Sequence, residues 1–500
     1  MKKSWLVIGS VVLLTSCYKQ NDSVKNESTT FKEIASLNIG GAGAAEISAY
    51  DPATKKLFIV NNSDGNNRIE VVNLTNPEAP VVLGFINIAV YGGFVNSIAV
   101  SNSKLAAAIE ANDKTAAGKV VVFNTSSQAE IKVITVGSLP DMVTFTPDGN
   151  YILTANEGEP NDAYTVDPLG TVSIIHLKEN YSVSTIDFAG FSSQSAQLKT
   201  KGLRLFGKNA SFEQDIEPEY IAVSSDSKTA WVTLQENNAV AKIDINTKSI
   251  TNIFPLGFKN YNTADNTIDP SDQDGGINFA AWPVKGIYLP DAIAVNSFNG
   301  TPFLYTANEG DVREWAGLSP VEVRRAGHAS IVLDPVAFPN ATALKTNAQL
   351  GRLNITTTLG DTDGDGDFDE LYSYGARSFS IWNGQTGELV FDSKNQIDTK
   401  AAELGKYPDG RSDDKGCEPE GITIGRVGNN NLLFVGLERA NAVMIYDITN
   451  PVKPQYLQWL DTGIAPEGVL FVSADKSPNG KSLFIASSET DGFIRIYTTN

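Results

Sequence analysis

Histidine and cysteine are nearly absent from this chain of 500 residues. His176 and His328 are the only two histidines, which argues against a zinc site and against serine or cysteine catalytic triads. The two cysteines are Cys17 and Cys417, and no CxxC pair occurs, so neither a disulfide framework nor a redox motif is predicted. The GxSxG, HExxH and glycine-lysine phosphate-loop motifs are missing as well.

Basic residues are also fewer than acidic ones. The chain has 39 lysines and arginines against 58 aspartates and glutamates, a formal net charge of -19. Such a surface repels the phosphates of nucleic acids and offers carboxylates to cations. We therefore expect no nucleic acid partner, and we expect cations to be bound.

Long apolar runs are lacking, and the run from Trp5 to Leu14 is too short to span a bilayer. It follows two lysines and ends in LTSC, which predicts a lipoprotein signal peptide over 1–16 with lipidation at Cys17. A cleaved signal with an incidental cysteine is the alternative. The polar stretch 17–30 is predicted to be a flexible tether. Because Tyr18 replaces the aspartate associated with inner-membrane retention, we expect an anchor in the outer membrane of a bacterial cell envelope, periplasmic or surface-exposed. We also expect a monomer.

Seven stretches of the chain repeat one pattern. An acidic residue, usually after proline, opens a short strand; a second apolar strand ends in Glu or Asn, and a third strand follows. The sequence TANEG, at 154–158 and 306–310, is one such strand end. The copies begin at Glu46, Asn96, Pro140, Pro218, Pro290, Pro419 and Pro466.

A fourth strand follows six of these copies. The seventh ends after three strands, and Phe31–Ile39 before the first copy can supply its fourth. This pattern predicts an all-β fold: a seven-bladed β-propeller of four-stranded blades over 31–500, whose last blade is closed by an N-terminal strand. Two stacked β-sandwiches are the alternative. A long insertion is predicted at about 310–377.

The repeated acidic residues are predicted to meet on one face. In a propeller blade the first strand lines the axis and the second runs antiparallel beside it, so the start of one and the end of the other share a face. The strand openers are Glu46, Asp141, Glu219, Asp291, Glu420 and Glu467, and the strand enders are Glu110, Glu157, Glu236, Glu309, Glu438 and Glu489. We predict an acidic rim at the channel mouth, formed above all by Glu157, Glu236, Glu309, Glu420, Glu438, Glu467 and Glu489.

Crowded carboxylates repel each other unless they are protonated, paired with arginine or bound to cations. Arg313, Arg377, Arg411 and Arg439 lie near the rim in sequence and could pair with some of these acids. Of these, Arg313, Arg377 and Arg439 are also candidate contacts for phosphate or another anion. Capping of local backbone amides by each acid is the structural alternative.

A second acidic feature is the run DTDGDGDFDE from Asp361 to Glu370. Its DxDxDG core matches the first half of a calcium-binding loop, with Gly366 at the sharp turn. Tyr372 occupies the position of the usual final glutamate, so a helix-free calcium loop is predicted, and a solvated acidic turn is the alternative. The predicted metal ligands are Asp361, Asp363, Asp365, Asp367 and Asp369.

Several long segments resemble one known family. They include LYTANEGDVREW from Leu304, LGRLNITTTLGDTDGDGDFDELYSYGARSFSIWN from Leu350 and RSDDKGCEPEG from Arg411. Together they resemble the choice-of-anchor I family of bacterial surface and secreted proteins, which is similar to the mesenchyme-specific cell-surface glycoproteins of animals. The resemblance implies a surface-anchored propeller with a link to calcium. It implies no reaction, so no catalytic residue is transferred.

The sequence thus predicts a lipid-anchored envelope protein that binds calcium and acts as a surface binding or scaffold module. Its ligand would be an anionic or phosphorylated polymer or a mineral surface, and no organic cofactor is expected. The alternative is a calcium-dependent phosphoesterase similar to the propeller phytases. In that case Glu157, Glu309, Glu420, Glu438 and Glu467 would hold the metals, and one of the three arginines would bind phosphate.

Overall fold

The computed structural model describes residues 27–63, 65–318 and 321–500. The predicted signal peptide, the lipidation site at Cys17 and the first part of the tether lie outside these residues. Within the described residues, short β-strands dominate; the few α-helices are four to eight residues long, and the 3-10 segments have three to six residues.

The chain begins with β1 (Phe31–Asn38), and four-stranded sheets then follow in sequence. Sheet 1 consists of β2 (Ser48–Asp51), β3 (Lys56–Asn61), β4 (Arg68–Asn73) and β5 (Val81–Asn87). Sheet 2 consists of β6 (Val95–Ser101), β7 (Lys104–Ile109), β8 (Ala117–Asn124) and β9 (Glu130–Ser138). Sheet 3 consists of β10 (Pro140–Phe145), β11 (Tyr151–Asn156), β12 (Thr171–His176) and β13 (Ser182–Ile186).

A 3-10 turn (Ala189–Gln194) and helices α1 (Ser195–Lys199) and α2 (Phe212–Asp215) lead to sheet 4. Sheet 4 consists of β14 (Ile221–Val223), β15 (Thr229–Leu234), β16 (Ala239–Asp244) and β17 (Ser249–Pro255). Two short strands follow, β18 (Phe258–Asn260) and β19 (Lys285–Ile287). Sheet 5 then starts with β20 (Ile293–Phe298) and β21 (Thr301–Asn308).

An insertion interrupts sheet 5. It contains β22 (Val323–Arg325), α3 (Ala341–Leu344), a 3-10 turn (Leu350–Arg352), β23 (Asn354–Thr356) and β24 (Tyr372–Ser373). Sheet 5 is completed by β25 (Ser378–Asn383) and β26 (Leu389–Asp392), which are followed by α4 (Gln396–Glu403) and a 3-10 turn (Asp409–Arg411). Sheet 6 consists of β27 (Pro419–Val427), β28 (Asn430–Leu437), β29 (Ala442–Asp447) and β30 (Gln455–Asp461). The last three strands are β31 (Pro466–Val472), β32 (Leu483–Ser488) and β33 (Phe493–Thr499).

These last strands form sheet 7 together with β1, which pairs antiparallel with β33 so that Phe31 lies opposite Thr499 and Asn38 opposite Phe493. All strand pairs within sheets 1 to 7 that the structure describes are antiparallel. The sheets contact one another through their first strands: β2 with β6, β6 with β10, β10 with β14, β14 with β20, β20 with β27, β27 with β31, and β31 with β2. The fold is therefore an all-β propeller arrangement of four-stranded sheets.

The second and third strands of the sheets read as continuous apolar runs because both of their faces are buried. Residues 57–60 of β3 are fully buried, and so are residues 105–109 of β7. The apolar clusters lie between neighbouring sheets: one joins Phe58 of sheet 1 to Leu105 of sheet 2, and another joins Ile485 of sheet 7 to Leu57 of sheet 1. Outer strands such as β9 alternate between exposed and buried residues, as expected for one solvated face.

Strands of the insertion and of the connection before sheet 5 together form a five-stranded sheet in the order β18-β19-β24-β23-β22. The sequence analysis did not predict this sheet, because β18 and β19 come from the connection before sheet 5 and only β22 to β24 come from the insertion. The pair β19–β24 is parallel. This sheet has its own apolar cluster, which includes Tyr261, Leu350 and Ile355.

Candidate functional site

A cavity of about 360 Å³ opens where the first strands of the sheets begin. We call it the mouth cavity. Tyr220 lines it and also lines the next cavity along the first strands, so it lies between the two. The charged residues that line the mouth cavity are Asp141, Glu219, Asp291, Glu309, Asp311, Lys415, Glu420, Glu438, Arg439 and Glu467.

The repeated Pro-Asp and Pro-Glu pairs create this arrangement through one local conformation. The residue before the proline has a positive φ in four copies, at Leu139, Leu289, Glu418 and Ala465. The pairing register then shifts after the proline in sheets 3, 6 and 7, as in a β-bulge. Bulges redirect side chains, which explains why the acidic residue after each proline reaches the mouth cavity instead of pairing along the sheet.

The ends of the second strands are hydrogen-bonded to the turns that precede these prolines. The backbone N–H groups of Glu157, Glu438 and Glu489 donate to the carbonyl oxygens of Leu139, Glu418 and Ala465, each at 2.9 Å. In the second TANEG copy the neighbouring residue takes this role, since the Gly310 N–H donates to the Leu289 carbonyl at 3.1 Å. The TANEG repeat is therefore a turn that holds the end of a second strand against the start of the first strand of the same sheet.

One side of the mouth is neutralised by the protein's own cations. Lys415 Nζ lies 2.8 Å from Glu309 Oε1 and 3.5 Å from Glu418 Oε2. Arg439 contacts Glu418 at 3.3 Å and Glu438 at 2.9 Å, and Arg411 reaches Glu418 at 2.6 Å. Burial alone would raise the pKa of Glu309, but Lys415 holds it below its usual value. We call Glu309, Glu418 and Glu438 the Glu418 cluster.

At the start of sheets 3 and 4, no lysine or arginine of the described residues pairs directly with the mouth acids, although the charge of Lys114 acts on Asp141. Carboxylate oxygens of Asp141, Glu157 and Glu219, which we call the Asp141 cluster, lie within 4.8 Å of one another. Among the described residues, none of these three side chains makes a hydrogen bond or an ion pair. The same holds for the side chains of Asp291, Glu420, Glu467 and Glu489, and Glu236 has one buried oxygen, Oε2, without a partner.

This crowding changes the protonation of the mouth. Burial, followed by repulsion from neighbouring carboxylates, raises the pKa of Glu157, Glu219, Asp291, Glu420 and Glu467 well above the usual value. Burial is also the main cause that raises the pKa of Asp141 to about 6 and that of Glu46 to about 8. At neutral pH the mouth therefore holds protons that isolated carboxylates would release.

Two of the three predicted anion contacts are not at the mouth. Arg313 is 3% exposed and forms buried ion pairs with Asp215 and, at 2.7 Å, with Glu217. Arg377 is 2% exposed and donates to the Asp269 and Ser412 carbonyl oxygens at 2.9 and 2.7 Å.

Both guanidinium groups are therefore used to pack the segments around sheet 5 against the propeller. Arg439, with 42% of its side chain exposed, is the predicted arginine that lines the mouth cavity. Lys415 and Glu418 were not predicted, although both lie within the quoted segment RSDDKGCEPEG.

The DTDGDGD loop divides its predicted ligands into two groups. Asp361, Asp363 and Asp365 are exposed, with oxygens within 4.8 Å of one another. Asp367 and Asp369 instead form a second, partly buried group with Asp334. Asp334 was not predicted; it comes close because Leu333 forms a parallel bridge with Phe368.

Neither histidine lies at the mouth cavity. His176 stacks on Tyr151 with ring centroids 4.6 Å apart, and His328 is exposed beside Ser330. Cys417 is fully buried, and burial, together with the charge of Asp398, raises the pKa of its thiol well above the usual value. The structure thus gives none of these side chains the setting of a nucleophile or general base. No helix in the described part of the chain has the length and apolar character needed to cross a membrane.

Two curated proteins are similar to this chain. Gigasin-3a from Magallana gigas is 27% identical over 191 residues, which cover 31% of this chain and 66% of that protein. The mesenchyme-specific cell surface glycoprotein of Strongylocentrotus purpuratus is 26% identical over 320 residues, which cover 54% of this chain and 41% of that protein. The chain therefore spans less than two thirds of the length of either relative.

Solved structures with a similar outline include Kuenenia stuttgartiensis hydrazine synthase, with 14% identity, a TM-score of 0.48 and coverage of 92% of this chain and 96% of that one. Another is the Cps50 (Swd1) β-propeller domain of Myceliophteria thermophila, with 7% identity, a TM-score of 0.48 and coverage of 93% and 100%. The choice-of-anchor I domain profile matches residues 46–451. Because this match covers most of the chain, the protein belongs to the choice-of-anchor I family.

Proposed function

We propose that this protein is a lipid-anchored β-propeller of the bacterial cell envelope that binds calcium and acts as a surface binding or scaffold module. The family membership supports a surface location, and so does the name of the sea urchin relative, a cell surface glycoprotein. The lipobox-like ending at Cys17 and the residue that follows it support a lipid anchor in the outer membrane.

The module is proposed to be a closed ring of seven blades. Two observations support this reading: first strands contact each other in cyclic order from β2 round to β31 and back to β2, and β1 completes the sheet of β31 to β33. Pairing of an N-terminal strand with the last blade is the usual way in which propellers close. Closure matters for function because it fixes the acidic strand starts around one cavity.

The observation that carries the calcium proposal is the set of mouth carboxylates without a partner. A buried charge without a counterion costs several kcal/mol, so such groups either keep a proton or bind a cation. Calcium prefers several carboxylate oxygens and tolerates irregular geometry, whereas magnesium retains most of its water. The exposed group Asp361, Asp363 and Asp365 supports a further calcium site in the insertion.

Calcium titration of the purified full-length lipoprotein in detergent tests this function. After treatment with chelator, we expect calorimetry to detect calcium binding, and we expect the variant with Asp363→Asn and Asp365→Asn to lose the loop component while the mouth component remains. Asp475→Asn, an exposed aspartate of the β31–β32 turn, is the matched control and should bind like the parent. Absence of calcium binding by the parent would disprove the proposal.

Bound calcium would let this acidic surface hold an anionic or phosphorylated polymer, since a divalent ion bridges carboxylates on the protein and oxyanions on the ligand. The mouth cavity, about 360 Å³, is large enough for a sugar-phosphate unit. We therefore propose that polymer binding depends on calcium.

A second candidate function is a calcium-dependent phosphoesterase. The observation in its favour is that Lys415 and Arg439 line the same cavity as the unpartnered carboxylates, so cationic and metal-binding groups face one space. Hydrolysis of p-nitrophenyl phosphate with added calcium should then be measurable, and Glu420→Gln should reduce it by at least about tenfold if a metal ligand is lost. If the parent shows no turnover above a calcium-only blank, the binding module alone stands.

A further inference from the structure

We infer that Asp141, Glu157 and Glu219 form a discrete calcium site at one edge of the mouth cavity. The inference deepens the proposed function and rests on it, because it assigns ligands to a cation that the proposed function places only somewhere in the mouth. It also separates the mouth into a metal-binding side and a side that the protein neutralises by itself.

The three ligands come from two neighbouring sheets. Asp141 lies at the start of β10, Glu157 follows the end of β11, and Glu219 precedes β14. Their oxygens lie within 4.8 Å of one another. Oxygens on opposite sides of a calcium ion are roughly 5 Å apart, because each calcium–oxygen distance is about 2.4 Å. One ion can therefore contact all three without moving the backbone.

The Glu418 cluster provides an internal comparison. Its three carboxylates meet the same distance criterion, and there the protein places Lys415 Nζ and the Arg439 and Arg411 guanidinium groups against them. No lysine or arginine of the described residues forms an ion pair with the Asp141 cluster; Lys114, which pairs with Glu110 at 3.8 Å, acts on Asp141 only through its more distant charge. The two clusters therefore differ in whether a lysine or arginine of the protein is in direct contact with the carboxylates.

Buried oxygens without a partner on two neighbouring glutamates, Glu217 and Glu236, give a second, independent indication. Glu217 is 2% exposed; its Oε2 accepts from Arg313 at 2.7 Å, but its Oε1 has no partner although it is buried. Glu236 has a buried Oε2 in the same condition. Glu217 acts electrostatically on Glu157, which places its charge beside the cluster. Buried acceptors normally have donors, and a hydrated ion at the cluster would supply the missing ones.

The chemistry of the ligands favours calcium. Three carboxylates provide up to six hard oxygen ligands, and the remaining positions of a six- to eight-coordinate ion would be taken by water. Asp141 and Glu219 line the mouth cavity, so these waters would face it and could be replaced by oxygens of a ligand. Histidine and cysteine, the ligands that zinc and copper prefer, are absent from the cluster.

The test compares two aspartates at equivalent positions. Asp141 and Asp291 both follow the proline at a strand start, both line the mouth cavity and both lack partners, but only Asp141 belongs to the cluster. Calcium binding is measured by equilibrium dialysis on full-length protein that carries Asp363→Asn and Asp365→Asn, so that the loop does not contribute.

In this background we expect Asp141→Asn to lose one bound calcium per chain, or to weaken binding by at least about tenfold, since affinity follows the charge of the ligand set. Asp291→Asn should keep the ion and weaken binding by less than about threefold through long-range charge alone. Glu219→Gln is a second cluster variant, which should reproduce the loss. Circular dichroism in chelator confirms that all three variants are folded.

Equal, small effects of Asp141→Asn and Asp291→Asn would overturn the inference while leaving the proposed function intact, because they would indicate diffuse attraction and no discrete site. The inference would also be overturned if the protein with Asp363→Asn and Asp365→Asn bound no calcium while the unmodified protein bound calcium. Absence of binding by the unmodified protein would instead remove the proposed function itself.

Discussion

In buffer free of divalent cations, the thermal midpoint of unfolding is expected to fall by roughly 5–10 °C as the pH is raised from 5 to 8. The cause is the set of mouth carboxylates whose pKa values burial raises: to about 8 for Glu46, to about 6 for Asp141, and well above the usual value for Glu157, Glu219, Asp291, Glu420 and Glu467. Their stabilising protons are fully bound below the pKa of the unfolded chain, roughly 4, and are lost as the pH passes the folded values. Stability therefore decreases with rising pH by on the order of 5 kcal/mol once mutual coupling is allowed for.

Calcium should reverse this loss. Saturating calcium is expected to raise the midpoint at pH 8 far more than at pH 5, because protons compete with the ion at low pH. Differential scanning calorimetry at pH 5 and at pH 8, with and without calcium, measures the shift of the thermal midpoint. Combining Glu420→Gln with Glu467→Gln should flatten the pH dependence, since amides do not titrate. A midpoint that stays constant or rises from pH 5 to 8 in chelator would contradict the electrostatic account of the mouth.

Replacing Arg313 by methionine is expected to lower the free energy of unfolding by about 3–5 kcal/mol, because it leaves two buried carboxylates without their counterion. The Arg313 side chain is 2% exposed, and those of Asp215 and Glu217 are 5% and 3% exposed. The guanidinium also lies 4.7 Å from the ring centroid of Phe206, so methionine keeps much of the apolar contact and removes mainly the charge. Urea denaturation of purified protein gives the difference.

The surface pair of Arg495 and Glu33 is the matched control for this prediction. Its atoms are 3.2 Å apart, but the side chains are 28% and 39% exposed, so Arg495→Met should cost less than about 1 kcal/mol. Adding Asp215→Asn and Glu217→Gln to Arg313→Met should recover part of the lost stability. If Arg313→Met and Arg495→Met cost the same, the ion pairs of Arg313 are not the buried, structural contacts described above.

The repeats could be predicted from the sequence because propeller strands are short and apolar and are separated at regular intervals by turn residues. Each Pro-Asp or Pro-Glu pair predicted a strand start, and the structure places β10, β27 and β31 at those prolines. The prediction that strand openers and enders share one face follows from antiparallel pairing, and Asp141 and Glu309 illustrate it by lining one cavity. The all-β propeller fold was predicted from this pattern, whereas the choice-of-anchor I family was identified from the resemblance of several long segments.

The contacts made by the inserted segments could not be predicted from the sequence, because they join residues that have no fixed sequence spacing. In the five-stranded sheet, Lys285–Ile287 pairs in parallel with Tyr372–Ser373, more than 80 residues later, and no local pattern reveals this pairing. Arg313 and Arg377 look like rim residues in the sequence because they follow strand ends or precede strand starts. Their burial depends on Asp215, Glu217 and Asp398, which lie in segments that periodicity does not place.

The direction of β1 determines how the acidic mouth would be presented. Asn38 pairs with Phe493 near the mouth, whereas Phe31 pairs with Thr499 at the far end of the sheet. Any anchor upstream of Phe31 therefore joins the body on the face opposite the carboxylates. A chain tethered to a bilayer through that end would therefore turn its acidic mouth, and the negative potential around it, away from the lipid and toward the surrounding solution.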